Sequence, residues 1–157
     1  QADLTVVPMT GWTRDMTWKD TGLAWVPPSP ALRTPLQTLL YAVFGTLEST
    51  NLSVGRGKTN DLAFQVYGAP WITAAKAADL VMALNALKLP GLVFAEVRWT
   101  PDRAVYAGKP SNGFFVSVTD EEEIEGFSSL LAVMTEMNRV LGPGWKLGNS
   151  RDMLGSS

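Results

Sequence analysis

The sequence predicts an α+β fold in which a small mixed β-sheet is covered by helices. Two observations carry that prediction. Two segments place apolar residues every three or four positions, as helices do, and between them lie two strand segments, the first with side chains that alternate. The 157 residues suit one domain with its own core, and 46% hydrophobic against 18% charged side chains is a globular composition.

From the start, Leu4-Thr5-Val6-Val7 is a short apolar run ending at Pro8 and reads as a buried strand. Residues 9–33 hold Trp12, Trp18 and Trp25 among Gly, Pro, Thr and charges without periodicity. Within them Val26-Pro27-Pro28-Ser29-Pro30 must run extended, because proline fixes φ and lacks the amide a helix needs. An irregular stretch this long is usually functional or wrapped on a partner surface. Thr34-Pro35 then reads as a cap and first-turn proline of a helix bearing Leu36, Leu39, Leu40 and Val43. Phe44 to Glu48 leads into a polar loop. Phe64-Gln65-Val66-Tyr67 is a short strand stopped by Gly68-Ala69-Pro70.

Thr73 caps the next helix, with Ala77, Leu80, Val81, Leu84 and Leu87 on one face and Pro90-Gly91 as its stop. Val93, Ala95, Val97 and Trp99 alternate with Phe94, Glu96 and Arg98, and Phe114 to Val118 form the following strand. A last helix is expected to open at Thr119, with Glu122 completing a capping box and Asp120 to Glu123 placed where the helix dipole favours acid. Its face would be Ile124, Phe127, Leu131, Met134, Met137 and Leu141, ended by Gly142-Pro143. No internal repeat is present.

Several function classes are excluded. Net charge is −2 with no basic stripe, which argues against nucleic acid as a partner. No apolar run is long enough to predict a membrane span. With no cysteine there is neither a disulfide nor a thiolate metal site, and with no histidine there is no serine–histidine or cysteine–histidine catalysis. Acid–base chemistry must fall on carboxylates, Lys, Tyr or Arg, and no cofactor or metal is expected. Gln1 is not an initiator, and Asn149 to Leu154 reads as a helix start cut short at Gly155-Ser156-Ser157. The expectation is a processed or partial piece of a longer protein.

The polar loop Asn51-Leu52-Ser53-Val54-Gly55-Arg56-Gly57-Lys58-Thr59-Asn60 contains Gly-Lys-Thr, which suggests a phosphate loop. That motif needs a glycine at position 52, where Leu52 stands, and a helix directly after it, where no helical pattern follows. Two readings remain. Gly55 and Gly57 supply a turn with Arg56 and Lys58 solvated, or the cluster Glu48, Thr50, Asn51, Ser53 and Arg56 binds a polyhydroxylated or carboxylated ligand.

A wider set of blocks resembles one family. These are Gly11-Trp12-Thr13-Arg14-Asp15-Met16, residues 21–30, Leu47-Glu48-Ser49-Thr50-Asn51-Leu52-Ser53-Val54-Gly55-Arg56-Gly57, and Gly68-Ala69-Pro70-Trp71-Ile72. Leu84-Asn85-Ala86-Leu87, Leu89-Pro90-Gly91, Trp99-Thr100-Pro101, Tyr106-Ala107-Gly108 and Val118-Thr119-Asp120 follow in the same order. Together they are similar to the NamZ-type exo-β-N-acetylmuramidases, bacterial glycoside hydrolases. The resemblance implies the C-terminal domain of a two-domain α/β protein, spanning 1–157, with an active site in the cleft it forms with a Rossmann-like N-terminal domain. That domain, which in the family carries an essential glutamate, has no counterpart in this chain. It, or a partner chain, would complete the site. The implied activity is release of terminal N-acetylmuramic acid from peptidoglycan fragments, in a secreted or periplasmic bacterial protein.

By the same resemblance Glu48 is the catalytic candidate, and Asn51, Arg56, Thr50, Ser53, Trp71 and Gln65 are candidates for binding substrate. Glycoside hydrolysis usually takes two carboxyl groups, and Glu48, with Asp61 second, is what this chain offers. The plainer alternative is that Glu48 pairs with Arg56 and holds the loop. Arg56 could grip the lactyl carboxylate of muramic acid in bidentate fashion. Gln65 stands where the family has glutamate and cannot ionise, Lys58 replaces a threonine, and Ala42-Val43 replaces Pro-Gly. These departures leave a second reading, a non-catalytic descendant used as a binding or assembly module. Of the tryptophans, Trp12, Trp18 and Trp25 are the candidates for stacking on sugar, though packing explains them too. Trp99, sharing a strand face with Val97, is expected in the core.

Overall fold

The computed structural model describes residues 3–148. Its helices are α1 (Pro35–Phe44), α2 (Ala74–Ala86) and α3 (Gly126–Leu141), and its strands are β1 (Val66–Ala69), β2 (Leu92–Trp99) and β3 (Ser111–Val118). Short 3-10 turns occupy Trp18–Thr21, Gly45–Ser49 and Gly142–Gly144. The α+β class holds, but the sheet is not mixed. Its order is β1-β3-β2, and both pairings are antiparallel. β1 and β2 run the same way, joined through α2, yet β3 inserts between them, so the two like-directed strands never pair.

Helices pack on the face that carries Tyr67, Phe94, Phe114 and Val116. Tyr67 stacks on Phe114 at 5.1 Å, with Phe94 and Phe44 edge-on to that pair. Burial raises the Tyr67 phenol well above its ordinary value, and the nearby Glu48 carboxylate raises it further. Its hydroxyl donates to the Phe64 carbonyl at 2.8 Å.

The start of α1 follows the sequence signals. The Thr34 hydroxyl accepts from the Gln37 amide, Pro35 occupies the first turn, and the Gln37 side chain returns to the Thr34 amide. Likewise the Thr73 hydroxyl accepts from the Lys76 amide to open α2, whose Ala77, Leu80 and Leu84 are buried.

Four expectations are corrected. Leu4 to Val7 form no strand and stand open, Leu4 at 78% and Val7 at 85% exposed, because among the described residues no strand edge meets them. β1 starts at Val66 and continues through Gly68-Ala69, since Phe64 sits at φ 61°, outside extended backbone. The last helix begins at Gly126, well past Thr119. The Thr119 amide donates to the Gly91 carbonyl and Asp120 accepts from the Glu122 amide, so the acidic run turns before the helix starts and does not cap it. The buried face of α3 is therefore Leu130, Val133, Met134, Met137 and Leu141, and Phe127 is 65% exposed, with Leu131 exposed beside it. Finally, Leu92 and Phe94 point into the core from β2. Trp99 and Val97 lie on the opposite face, half-buried. The expected helix start at Asn149 lies outside the described residues.

Candidate functional site

The signature loop begins where α1 tightens into the 3-10 turn Gly45–Ser49. That turn half-buries Glu48 and ends at Thr50, whose hydroxyl donates to the Leu47 carbonyl at 2.6 Å. Ser53 is buried and pairs through its backbone with Gly68 of β1, amide to carbonyl in both directions at 2.8 and 3.1 Å. The loop is thereby stitched to the sheet edge. The Phe64 amide donates to the Val54 carbonyl at 2.8 Å and closes residues 54–64 into a tight excursion.

Arg56 leaves this excursion and forms a salt bridge from Nη1 to Oε1 of Glu48, both side chains partly exposed. The paired arrangement foreseen as the plainer alternative is thus present. The Nε and Nη2 protons of Arg56 have no partner among the described residues. Around the pair lies a hollow of about 250 Å³ walled by Ser29, Leu32, Tyr41 and Phe64, and a smaller one that includes Ser53. On the far side of Arg56 a third hollow of about 350 Å³ runs between the loop and residues 99–102. Arg56 borders all three.

A network centred on one buried side chain holds the loop. Gln37, 1% exposed, accepts from the Arg33 and Thr34 amides and donates to the Asn60 and Asp61 carbonyls. The Asn60 side chain donates to the Pro30 carbonyl and accepts from the Gly57 amide. Arg33 pairs with Asp61 at 2.8 Å. The amides a phosphate would need are occupied, Gly57 by Asn60 and Lys58 by Asp102 at 2.9 Å, and residues 61–65 form turns and not a helix.

The remaining candidates lie elsewhere. Both ends of the Asn51 amide are engaged, donating to the Gly144 carbonyl and accepting from the Lys146 amide, each at 2.9 Å. The Asn51 carbonyl accepts from the Tyr106 hydroxyl, which accepts in turn from Nε1 of Trp71 at 3.2 Å. Asn51, Tyr106 and Trp71 thus tie the segment after α3 to the loop, and Trp71 is absent from the hollows that Arg56 borders. Gln65 donates to the Asp61 carbonyl. Replacing Asn51 with Ala is expected to destabilise the chain by about 1–3 kcal/mol through the two side-chain hydrogen bonds lost, as a lower urea midpoint would report.

Trp12, Trp18 and Trp25 line a separate hollow of about 680 Å³ against Pro35, Thr38 and Leu39 of α1, with Trp18 and Trp25 edge-on at 5.2 Å. The residues that sequence reasoning missed are Gln37, Asn60, Tyr106, Asp102 and Trp99. Gln37 had a local signal, standing three residues after Thr34 as the second member of a capping box, and Trp99 and Tyr106 stood in two of the blocks that carry the resemblance. Among the described residues no helix is long and apolar enough to cross a membrane.

The sheet order, helical cover and loop place the chain in a known class of α+β domain. A crystallised DUF1343 family protein from Bacteroides fragilis NCTC 9343 superposes with a TM-score of 0.72 at 32% identity, over 83% of this chain and 33% of that one. A second DUF1343 protein from the same strain gives 0.53 at 26% identity, over 75% of this chain and 29% of the other. Residues 39–156 match the family model described as exo-beta-N-acetylmuramidase NamZ, C-terminal, and residues 1–36 match its N-terminal counterpart. The chain belongs to the NamZ family. It is 40% identical over 133 residues to the peptidoglycan beta-N-acetylmuramidase NamZ of Bacillus subtilis (strain 168), a match over 85% of this chain and 31% of that protein. The chain spans about a third of the length of these relatives. The two model matches meet at α1, so the irregular tryptophan segment carries the N-terminal pattern, where a C-terminal domain over all of 1–157, with no counterpart of the N-terminal part, was expected.

Proposed function

We propose that this chain supplies one wall of the sugar site in a peptidoglycan-directed exo-β-N-acetylmuramidase of bacterial, secreted or periplasmic location. The observation that carries the reading is the Glu48–Arg56 pair, set on the signature loop at the junction of three hollows. A guanidinium with one nitrogen held by a carboxylate and its other two nitrogens free to donate can take a second carboxylate. The lactyl group of N-acetylmuramic acid supplies one, and N-acetylglucosamine does not. Glu48 then stands beside the sugar as one of the two carboxyl groups that glycoside hydrolysis usually needs. The other comes from the part of the protein that lies outside this chain. No cofactor is required by this chemistry.

Hydrolysis of a chromogenic N-acetylmuramide by the full-length protein tests the assignment. Arg56→Ala is expected to raise KM by about 10- to 100-fold, the usual weight of a charged hydrogen-bond pair, with a smaller effect on kcat. An unchanged KM removes Arg56 from substrate recognition, and absence of turnover by the unaltered full-length protein removes the enzyme reading.

A further inference from the structure

Trp99 is the last residue of β2, and its indole crosses β3 to lie over Gly68 of β1. A Cβ on Gly68 would meet Cη2 of Trp99 at 2.9 Å and the Asn112 carbonyl oxygen at 2.3 Å. Gly113 on β3 stands between Gly68 and Val97 in the same row, and a Cβ there would meet the Tyr67 carbonyl oxygen at 1.9 Å, so neither glycine position has room for a side chain. The half-buried indole therefore lies on a floor of backbone, on the sheet face the helices do not cover. The signature loop rises opposite it, and the space between is the 350 Å³ hollow bordered by Arg56, Thr59, Asp61, Thr100 and Asp102.

The polar groups around this hollow are placed and have capacity to spare. Oδ1 of Asp102 accepts from the Lys58 amide, and its other oxygen has no partner among the described residues. Oδ1 of Asp61 holds Arg33, again leaving one oxygen without a partner among those residues. One aromatic face, two carboxylates fixed by their first hydrogen bond and an arginine edge form a set suited to a neutral pyranose. The C–H face of such a ring packs on indole and its hydroxyl and acetamido groups bridge planar acceptors and donors. A neutral ring also fits the charge, since a carboxylated sugar would meet Asp61 and Asp102.

We propose that this hollow is the subsite for the N-acetylhexosamine on the other side of the scissile bond from the muramyl residue. The proposal rests on the muramidase reading above. Arg56 borders both this hollow and the one beside Glu48, so one side chain separates the two sugars, as adjacent units of a glycan require.

The test compares two substrates of the full-length protein. The disaccharide N-acetylmuramyl-N-acetylglucosamine fills both subsites, whereas N-acetylmuramyl fluoride has a single atom as leaving group and cannot reach Trp99. Trp99→Ala is expected to lower kcat/KM on the disaccharide tenfold or more and leave the fluoride unchanged, with Trp99→Phe restoring most of the loss. Equal losses on both substrates, or none on either, overturn the subsite. Asp102→Asn keeps an acceptor for the Lys58 amide and so tests the hollow without removing the indole. It should weaken the disaccharide selectively, and an unselective effect counts against the proposal. If the unaltered protein cleaves neither substrate, the muramidase reading fails by itself. An NMR titration with N-acetylglucosamine then decides the subsite: shifts at the Trp99 indole and the Gly57 and Thr100 amides support a pyranose site, and silence there overturns it.

Discussion

Replacing Glu48 with Gln is expected to lower kcat of the full-length protein on a chromogenic N-acetylmuramide by about 100- to 10,000-fold, the range over which a positioned general acid or base acts. The substitution separates the two roles this residue can have. Gln keeps the volume and an oxygen that can accept from Nη1 of Arg56, so the loop geometry survives. The Arg56 guanidinium is about half exposed and remains solvated once its partner is neutral. Structural loss should therefore be small, since an ion pair this open contributes little to stability. Catalytic loss should be large, because an amide neither gives nor takes a proton at neutral pH. Melting temperature measured alongside turnover reads both. A large fall in kcat with an unshifted melting temperature assigns Glu48 to the chemistry. Unchanged kcat leaves it as the clamp of Arg56, and a fall in both shows that the pair is structural after all.

The fold was legible where local signals and tertiary demands coincide. Thr34-Pro35-Leu36-Gln37 and Thr73 announce helix starts because a cap is a contact between residues three apart, and both starts are found where those residues stand. The start of α3 was misread for the same reason. Thr119 and Glu122 satisfy the spacing of a capping box, but the Gly91 carbonyl, far away in sequence, takes the Thr119 amide first. The phase of α3 shifted with it, which is why Phe127 and Leu131 stand exposed.

Strand faces failed for a related cause. Alternation in β2 separates two sets of side chains without saying which set meets the helices. Phe94, opposite Val116, won the core, and Trp99 was left on the other face. In the site, the Glu48–Arg56 pair was legible because eight positions and opposite charges suffice to suggest it. The duties of Asn51 were not. Its partners at Gly144 and Lys146 lie more than ninety residues away, and a polar residue in a loop gives no sign of whether its amide faces ligand or backbone.

Gly55 is where loop shape and site depend on a single missing carbon. Its φ is 72°, in the left-handed region, where an L side chain costs about 1–2 kcal/mol. A Cβ there would also stand 2.0 Å from the Leu62 carbonyl oxygen and 2.6 Å from Cγ2 of Val66. The valine methyl can turn aside, but the carbonyl cannot without loosening the Gln65 and Val66 amides that donate to it. Gly55→Ala is therefore expected to cost about 2–4 kcal/mol and to lower the melting temperature of the chain by roughly 5–15 °C. Gly22→Ala provides the control, since its φ of 65° carries the same backbone penalty while nothing lies within 4 Å of the added carbon. A Gly55 variant that melts no lower than the Gly22 variant would show that the approach of Leu62 is not a constraint. If the larger loss is found, Arg56, the next residue, must shift with the strained backbone, and a raised KM for the muramide in the full-length protein should accompany the fall in stability. A loss of stability without that rise in KM would mean that the loop relaxes around Leu62 and returns the guanidinium to Glu48.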